Sequence, residues 1–197
     1  MDQEILQELF IDHIRDLYDA EKQIVKALPK MAKAAESEDL AEGLRKHLEE
    51  TQNHVSRLEE VFRMAGVAAK GKPCKGMKGL LEEGNEAIQE HDAGPLRDLA
   101  IIGGAQKVEH YEMSAYGTAC AIAEQLGMND AVQLLRETEG EEKAADQTLT
   151  EAAYSLYQAD EDEDQEEEDD EEEVASVGSS RTSRTAPAKS GARKPRR

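Results

Sequence analysis

The chain has 197 residues, a length that fits one domain of ordinary size. Its formal net charge of −20 is unevenly distributed, because residues 160–173 contain 13 acids while residues 175–197 contain seven Arg or Lys and no acid. The rest of the chain remains acidic, at about −14, which argues against a nucleic-acid interface there, since phosphate binding requires clustered cations.

The chain before the acidic run predicts helices, since Ala, Leu, Glu, Lys and Gln dominate and strand-forming residues are sparse. The first helix is predicted over residues 3–35, with Pro29 near its end. Ser37 or Asp39 can cap the second helix, and Gly66 follows its last apolar residues. The short connection makes these two helices an antiparallel hairpin.

A second hairpin follows in the same way. Its first helix is predicted to begin near Pro95 and end at Gly127, and its second to be capped by Asn129 and to end near Tyr157. About 29 residues separate the hairpins, too many for a simple turn, and a short helix is predicted there over residues 79–91. Two hairpins joined by one long crossover predict an all-α, ferritin-like antiparallel four-helix bundle.

A disordered tail is predicted after this bundle, with the bundle over residues 1–158 and the tail over 159–197. The acidic run cannot bury apolar surface and repels itself. The segment that follows is rich in Ser, Arg, Pro and Gly and lacks hydrophobic periodicity. Its positive charges have two interpretations. They can form a basic arm that binds nucleic acid or another acidic partner, or they can simply neutralise the neighbouring acids, and the second interpretation is favoured.

The location of the protein is constrained by what the sequence lacks. No apolar run approaches the roughly 18 residues that a membrane-spanning helix requires. The acidic, amphipathic N-terminus does not fit a secretory signal. Cys74 and Cys120 form neither a metal-binding motif nor a disulfide framework. We therefore expect a reduced, cytoplasmic protein without membrane association.

Each helix of the two hairpins interrupts its apolar stripe with carboxylates near its middle. Antiparallel helices rise equally, about 1.5 Å per residue, so reflecting each hairpin through its turn places its interruptions at matching heights. The residues at these positions are Glu21 in the first helix, Glu50 and His54 in the second, Glu109 and Glu112 in the third, and Glu142 and Asp146 in the fourth.

These residue types predict a metal centre. Carboxylates facing one another in a poorly solvated core would repel and would be costly to desolvate, whereas divalent cations remove both penalties. Di-iron carboxylate bundles take one Glu from each of two helices and a Glu with a His one turn later from the other two. The sequence therefore predicts two divalent ions, iron or manganese, with Glu50 and Glu142 as bridging ligands and Glu21 and Glu109 as terminal ligands.

Two positions depart from that pattern. His54 lies four residues after Glu50 rather than three, and Asp146 stands where a second His is expected. Both spacings still keep the paired residues on one helical face. The substitution leaves a single histidine near the site unless His47 also contributes.

Five segments in order carry a family resemblance: LFIDHIRDLYDAEKQIVKALPKMA, HLEETQNHVSRLEEVF, KPCKGMKGLLEEG, KVEHYEMSAYGTA and LLRETEGEEKAADQTLTEAA. Over residues 5–157 the chain resembles the bacterial YciE/YciF family of stress-associated ferritin-like proteins. It is also similar to rubrerythrin, whose third helix has paired glutamates like Glu109 and Glu112. The resemblance implies a homodimeric cytoplasmic protein associated with oxidative, osmotic or stationary-phase stress, but it supplies no established reaction.

Two functions of different classes follow as hypotheses. The first is a di-metal redox protein with ferroxidase-like or peroxide-consuming activity, in which the paired ions bind O₂ or peroxide between them. The alternative is a non-enzymatic dimeric stress protein in which any metal is structural or vestigial and the charged tail recruits a partner or maintains solubility.

Overall fold

The computed structural model describes residues 2–179 of the chain, and the side chains of residues 2–158. Within the described residues there are five α-helices and no strand. Their bounds are α1 Gln3–Ala34, α2 Glu38–Met64, α3 Lys75–Glu90, α4 Pro95–Gln125 and α5 Asn129–Ser179. The predicted all-α bundle is confirmed: α1 with α2 and α4 with α5 are the two hairpins, and α3 is the short helix of the crossover.

A side-chain cap and two glycines define where the helices of the hairpins begin and end. The hydroxyl of Ser37 accepts a hydrogen bond from the backbone N–H of Leu40 and caps α2, as the sequence predicts. Gly66 and Gly127 follow α2 and α4 with φ of +73° and +71°, a conformation that side chains with a Cβ disfavour. Each of these helices therefore ends two residues before the glycine that the sequence indicates as its stop.

The crossover segment is hydrogen-bonded to α1. The backbone N–H of Lys72 donates to the carbonyl of Arg15, and the N–H of Cys74 donates to Asp19 at 2.8 Å. At Gly76 an added Cβ would lie 2.9 Å from the ring of Tyr111, so only glycine permits this approach of α3 to α4. These contacts fix α3 against α1 and α4.

The apolar core forms two clusters separated along the bundle. The first includes Phe10, Leu17, Phe62 and Leu135, and the second includes Ile24, Leu44, Ile102 and Leu149, so each cluster takes residues from α1, α2 and α5. On α1 the change from one cluster to the other falls near Glu21. A polar layer is therefore enclosed between two apolar ones.

The last helix extends farther than expected. The sequence predicts its end near Tyr157, whereas helical backbone continues to Ser179. Glu has a high intrinsic helix propensity, which here outweighs the repulsion between like charges at helical spacing. The chain divides into two units, Met1–Tyr157 and Gln158–Arg197, and the bundle belongs to the first. Most of the predicted basic arm, over residues 180–197, lies outside the described residues.

None of the described helices is both long enough and apolar enough to cross a membrane.

Candidate metal centre

Six buried side chains meet in the polar layer, and we call them the core cluster: Glu21 from α1, His47 and His54 from α2, Glu109 and Glu112 from α4, and Glu142 from α5. They form two groups in which one potential ligand atom from each residue lies within 4.8 Å of the others. One group is His47, Glu109, Glu112 and Glu142, and the other is Glu21, His54 and Glu142. Because Glu142 belongs to both, the groups are adjacent.

The histidines of the core cluster lie next to its carboxylates. The Nε2 atom of His47 lies 3.4 Å from Glu109 and 3.8 Å from Glu142. The Nδ1 atom of His54 lies 3.0 Å from Glu142 and 3.5 Å from Glu21. Those nitrogens have no aligned hydrogen bond despite these distances. Each of the two imidazoles thus lies close to Glu142, and each belongs to a different group.

Most carboxylate oxygens of the core cluster have no hydrogen-bond partner. Both oxygens of Glu112 and of Glu142 lack one, as does one oxygen of Glu109. None of these three side chains is more than 3% exposed. Buried polar atoms are almost always satisfied in folded proteins, and leaving them unpaired costs about 1–3 kcal/mol each. Oxygen and imidazole donors together form a ligand set that can hold a divalent metal ion.

Burial also shifts the pKa values of side chains in the core cluster. Desolvation raises the pKa of Glu21, Glu109 and Glu112, because the charged carboxylate loses its hydration. Burial by itself lowers the pKa of His54, because it disfavours the charged imidazolium. The adjacent carboxylates of Glu142 and Glu21 outweigh this effect and raise the pKa of His54 to about 10. The metal-free cluster therefore carries fewer negative charges than its composition suggests.

A second layer of polar contacts surrounds the core cluster. The hydroxyl of Tyr116 donates a hydrogen bond to Glu21, and both groups are fully buried. On the other side the Nε2 atom of His54 contacts Glu141 at 2.8 Å, and Arg57 pairs with Glu141 in turn. A hydrogen bond from Arg57 lowers the pKa of Glu141, which therefore stays ionised. Such outer partners fix the orientation of ligand side chains.

Five of the seven predicted ligands meet in the core cluster: Glu21, His54, Glu109, Glu112 and Glu142. Glu50 does not join either group. Its side chain is 31% exposed and lies 3.6 Å from His47 and 3.5 Å from Lys46, contacts that lower its pKa. At about 100° per residue, Glu50 is turned some 60° around α2 from His47. The carboxylate shared between the groups is Glu142 alone, rather than Glu142 with Glu50 as the sequence predicts.

Asp146 also lies outside both groups. Its carboxylate accepts a hydrogen bond from Gln106 at 3.2 Å and lies 3.3 Å from His110. One helical turn separates it from Glu142, about 6 Å along the axis of α5. Its side chain is 24% exposed, whereas that of Glu142 is fully buried.

His47 is the member of the core cluster that the sequence indicates least clearly. It precedes His54 by seven residues, which is two turns, so both imidazoles lie on one face of α2. Thr51, midway between them, is also buried and donates a hydrogen bond to the carbonyl of His47. The seven-residue spacing of the histidines identifies the inward face better than the position of Glu50 does.

The fold is of the ferritin-like class, in which ligand side chains project inward from all four helices. In this chain α2 contributes two histidines and no carboxylate to the core cluster. The chain belongs to the family described as "Domain of unknown function (DUF892)", whose model matches residues 5–161. It is 43% identical over 154 residues to Protein YciF of Escherichia coli strain K12, covering 78% of this chain and 93% of that protein. The predicted family resemblance is therefore confirmed.

Solved structures give the same result. The crystal structure of the E. coli stress protein YciF matches with a TM-score of 0.75 and 42% identity, over 78% of this chain and 97% of that one. The YcfI protein of Rhodopseudomonas palustris matches with a TM-score of 0.72 and 44% identity, over 74% and 92%. A Xanthomonas campestris protein with 17% identity, a TM-score of 0.64 and coverage of 81% and 99% shares the fold.

Proposed function

We propose that this protein is a di-metal carboxylate protein of the bacterial stress response, whose core cluster binds two divalent ions, iron or manganese. The observation that carries the proposal is Glu142, a fully buried carboxylate whose two oxygens lack hydrogen-bond partners and which belongs to both ligand groups. A carboxylate in that position is suited to bridge two ions about 3.5–4 Å apart. The bound ions would supply electrons for reducing O₂ or peroxide, as a ferroxidase or a peroxidase.

The residues of the core cluster divide between the ions. His47, Glu109 and Glu112 would hold one ion, Glu21 and His54 would hold the other, and Glu142, which belongs to both groups, would contribute to each. Glu50 and Asp146, the remaining predicted ligands, lie at the edge of the cluster and make contacts of their own. The apolar clusters above and below border the ligands with low-dielectric surface, which strengthens their interaction with cations.

The rival function is a non-enzymatic stress protein, favoured by a specific contact. The imidazole of His54 lies between Glu142 and Glu21 on one side and Glu141 on the other, so a protonated His54 neutralises part of the cluster without any metal. In that case the bundle is a structural unit. Both functions are compatible with a cytoplasmic homodimer, which we also propose on the basis of the family resemblance.

Metal content distinguishes the two functions. The full chain, purified without chelator and reloaded anaerobically with Fe²⁺ or Mn²⁺, is expected to retain about two ions by elemental analysis. Glu142→Gln is expected to lose both, because the amide keeps the shape but removes the charge shared by the two groups. Glu151→Gln, an exposed position on the same helix, is the matched control and should retain both. Wild-type protein without stoichiometric metal would exclude the di-metal function and leave the structural one.

A further inference from the structure

A cleft between α2 and α5 leads from the protein surface to the core cluster. Its volume is about 140 Å³. At its inner end it is bordered by His47 and Glu109, two members of the same ligand group. Its apolar walls are formed by Leu40, Gly43, Leu44, Ala145, Leu149 and Ala152. Most of the cleft wall is thus apolar, and its polar side chains include His47 and Glu109 where it meets the cluster.

Small residues on both helices keep this space open. A Cβ added at Gly43 would meet no atom within 4 Å, so no backbone contact requires glycine there. Glycine inside a helix costs about 1 kcal/mol relative to alanine. On α5 the facing positions are the alanines Ala145 and Ala152 rather than larger apolar residues. The absence of side-chain volume at Gly43 therefore serves the cleft rather than local packing.

The inner end of the cleft has unpaired polar atoms. His47 is 7% exposed, and neither of its ring nitrogens has a hydrogen-bond partner. One oxygen of Glu109, which is 2% exposed, is unpaired as well. Such buried groups, adjacent to open space, mark a binding position for a small molecule with one polar end.

The charges around the cleft indicate what kind of polar end fits. Four acids border it, against the single cation of Lys46, which is itself paired with Glu50; the acids are Asp39, Glu50, Glu109 and Glu141. An anionic head group such as a carboxylate or phosphate would be repelled. In the metal-free protein a neutral group that both donates and accepts hydrogen bonds can pair with the unpaired atoms of His47 and Glu109 without that penalty, and in the metal-loaded protein it meets the side of the centre that these two residues border.

We propose that this cleft binds the apolar part of a small organic hydroperoxide and directs its O–O group to the side of the centre bordered by His47 and Glu109. The volume matches a group the size of a benzene ring, which a cavity of about 150 Å³ can hold. This inference rests on the proposed di-metal function and names its substrate class. The hydroperoxide takes up two electrons and two protons, its O–O bond breaks, and an alcohol and water are released. The two bound divalent ions would supply one electron each, and the two protons would come from solvent.

The first test measures binding without metal or turnover. Ligand-observed NMR is carried out on the metal-free full chain with 2-phenyl-2-propanol, the alcohol that corresponds to cumene hydroperoxide. Gly43→Leu is expected to weaken binding at least about tenfold, because the added side chain occupies the space of the phenyl ring. Gly103→Leu is the matched control, a helical glycine on α4 that also has no atom within 4 Å of an added Cβ but does not border the cleft. Equal binding by all three proteins would overturn the proposal.

The second test measures single-turnover oxidation of the reduced, metal-loaded proteins. Gly43→Leu should slow the reaction with cumene hydroperoxide at least about tenfold and leave the reaction with H₂O₂ unchanged, since H₂O₂ has no apolar part to place. Equal slowing of both reactions, or of neither, would contradict a substrate cleft. Metal content is measured on the same samples. A wild-type chain that binds the alcohol but retains no metal disproves the di-metal function and leaves the cleft as a binding site.

Discussion

Among the carboxylates of the core cluster, Glu21 is the one that accepts a hydrogen bond from a tyrosine. Its first oxygen accepts a hydrogen bond from Tyr116 and lies 3.5 Å from His54, whereas its second oxygen is unpaired. Burial raises the pKa of Tyr116, so its hydroxyl remains protonated and able to donate. Tyr116 is thus a positioning residue for Glu21, linking α4 to α1 through the polar layer.

Removing that hydroxyl gives a prediction at the scale of single residues. Tyr116→Phe should destabilise the metal-free protein by about 1–3 kcal/mol, because Glu21 loses its hydrogen bond while remaining fully buried. Urea unfolding followed by circular dichroism measures this difference. Tyr154→Phe, at a position that is 65% exposed, is the control and should have no measurable effect. Equal stability of the two variants would mean that Tyr116 does not support Glu21.

Individual ligands were predictable only where helix phase was unambiguous. Glu21 interrupts a regular apolar stripe on α1, so its inward direction follows from Leu17 and Ile24 on either side. On α2 the choice between His47 and Glu50 depends on a rotation of about 60°, which is comparable with the uncertainty of a stripe defined by a few leucines. Hence the sequence places Glu50 among the ligands, while His47 is the buried residue.

At the scale of elements, one buried carboxylate joins the two hairpins. Asp98, in the first turn of α4, is 1% exposed and accepts hydrogen bonds from the backbone N–H groups of Glu36 and Ser37 at 2.8 and 2.7 Å. These N–H groups lie in the connection between α1 and α2, where no helical partner is available to them. The start of α4 is therefore fixed to the turn of the first hairpin.

Disrupting this contact should destabilise the bundle. Asp98→Ala is expected to cost about 2–3 kcal/mol, since two charge-assisted hydrogen bonds are lost and two backbone donors are left without partners. Thermal and urea unfolding of the metal-free chain measure the change. Asp92→Ala, an exposed aspartate shortly before α4, should leave stability unchanged. If both variants unfold like wild type, Asp98 does not hold the hairpins together.

The start of the crossover helix α3 does not follow from the hydrophobic pattern of the sequence. The short crossover helix was predicted over residues 79–91 and begins earlier, at Lys75. Its cap is Cys74, whose sulfur accepts from the N–H of Met77 at 3.4 Å, and cysteine is not among the residues that signal a helix start. Cys74 also contacts Tyr111 on α4, a tertiary contact that sequence spacing does not reveal.

At the scale of the whole molecule, the architecture was easier to predict than the site. Two short turns, Gly66, Gly127 and the long crossover each limit the possible connections of four helices. These signals are local and reinforce one another. By contrast, the end of α5 does not follow from the apolar pattern, which stops near Tyr157, because the helix propensity of Glu continues the helix to Ser179.

The division of the chain after Tyr157 leads to a further prediction. Both apolar clusters and the core cluster lie within Met1–Tyr157, so a chain ending at Gln158 should unfold within about 2 °C of the full chain. Differential scanning calorimetry of the metal-free proteins is the measurement. Leu135→Ala serves as a control for sensitivity and should cost about 2–5 kcal/mol. A large decrease on truncation would show that the second unit supports the bundle.

The composition of the core cluster has a consequence for how the proposed centre fills. Its four carboxylates carry four negative charges when ionised, equal and opposite to the charge of two divalent cations. A single ion would leave two negative charges uncompensated in a dry interior, so electroneutrality favours loading in pairs. Oxidation of both ions to the trivalent state would reverse the imbalance to two positive charges. Glu50 and Glu141, which contact the two histidines from outside the cluster, stand where that excess can be compensated.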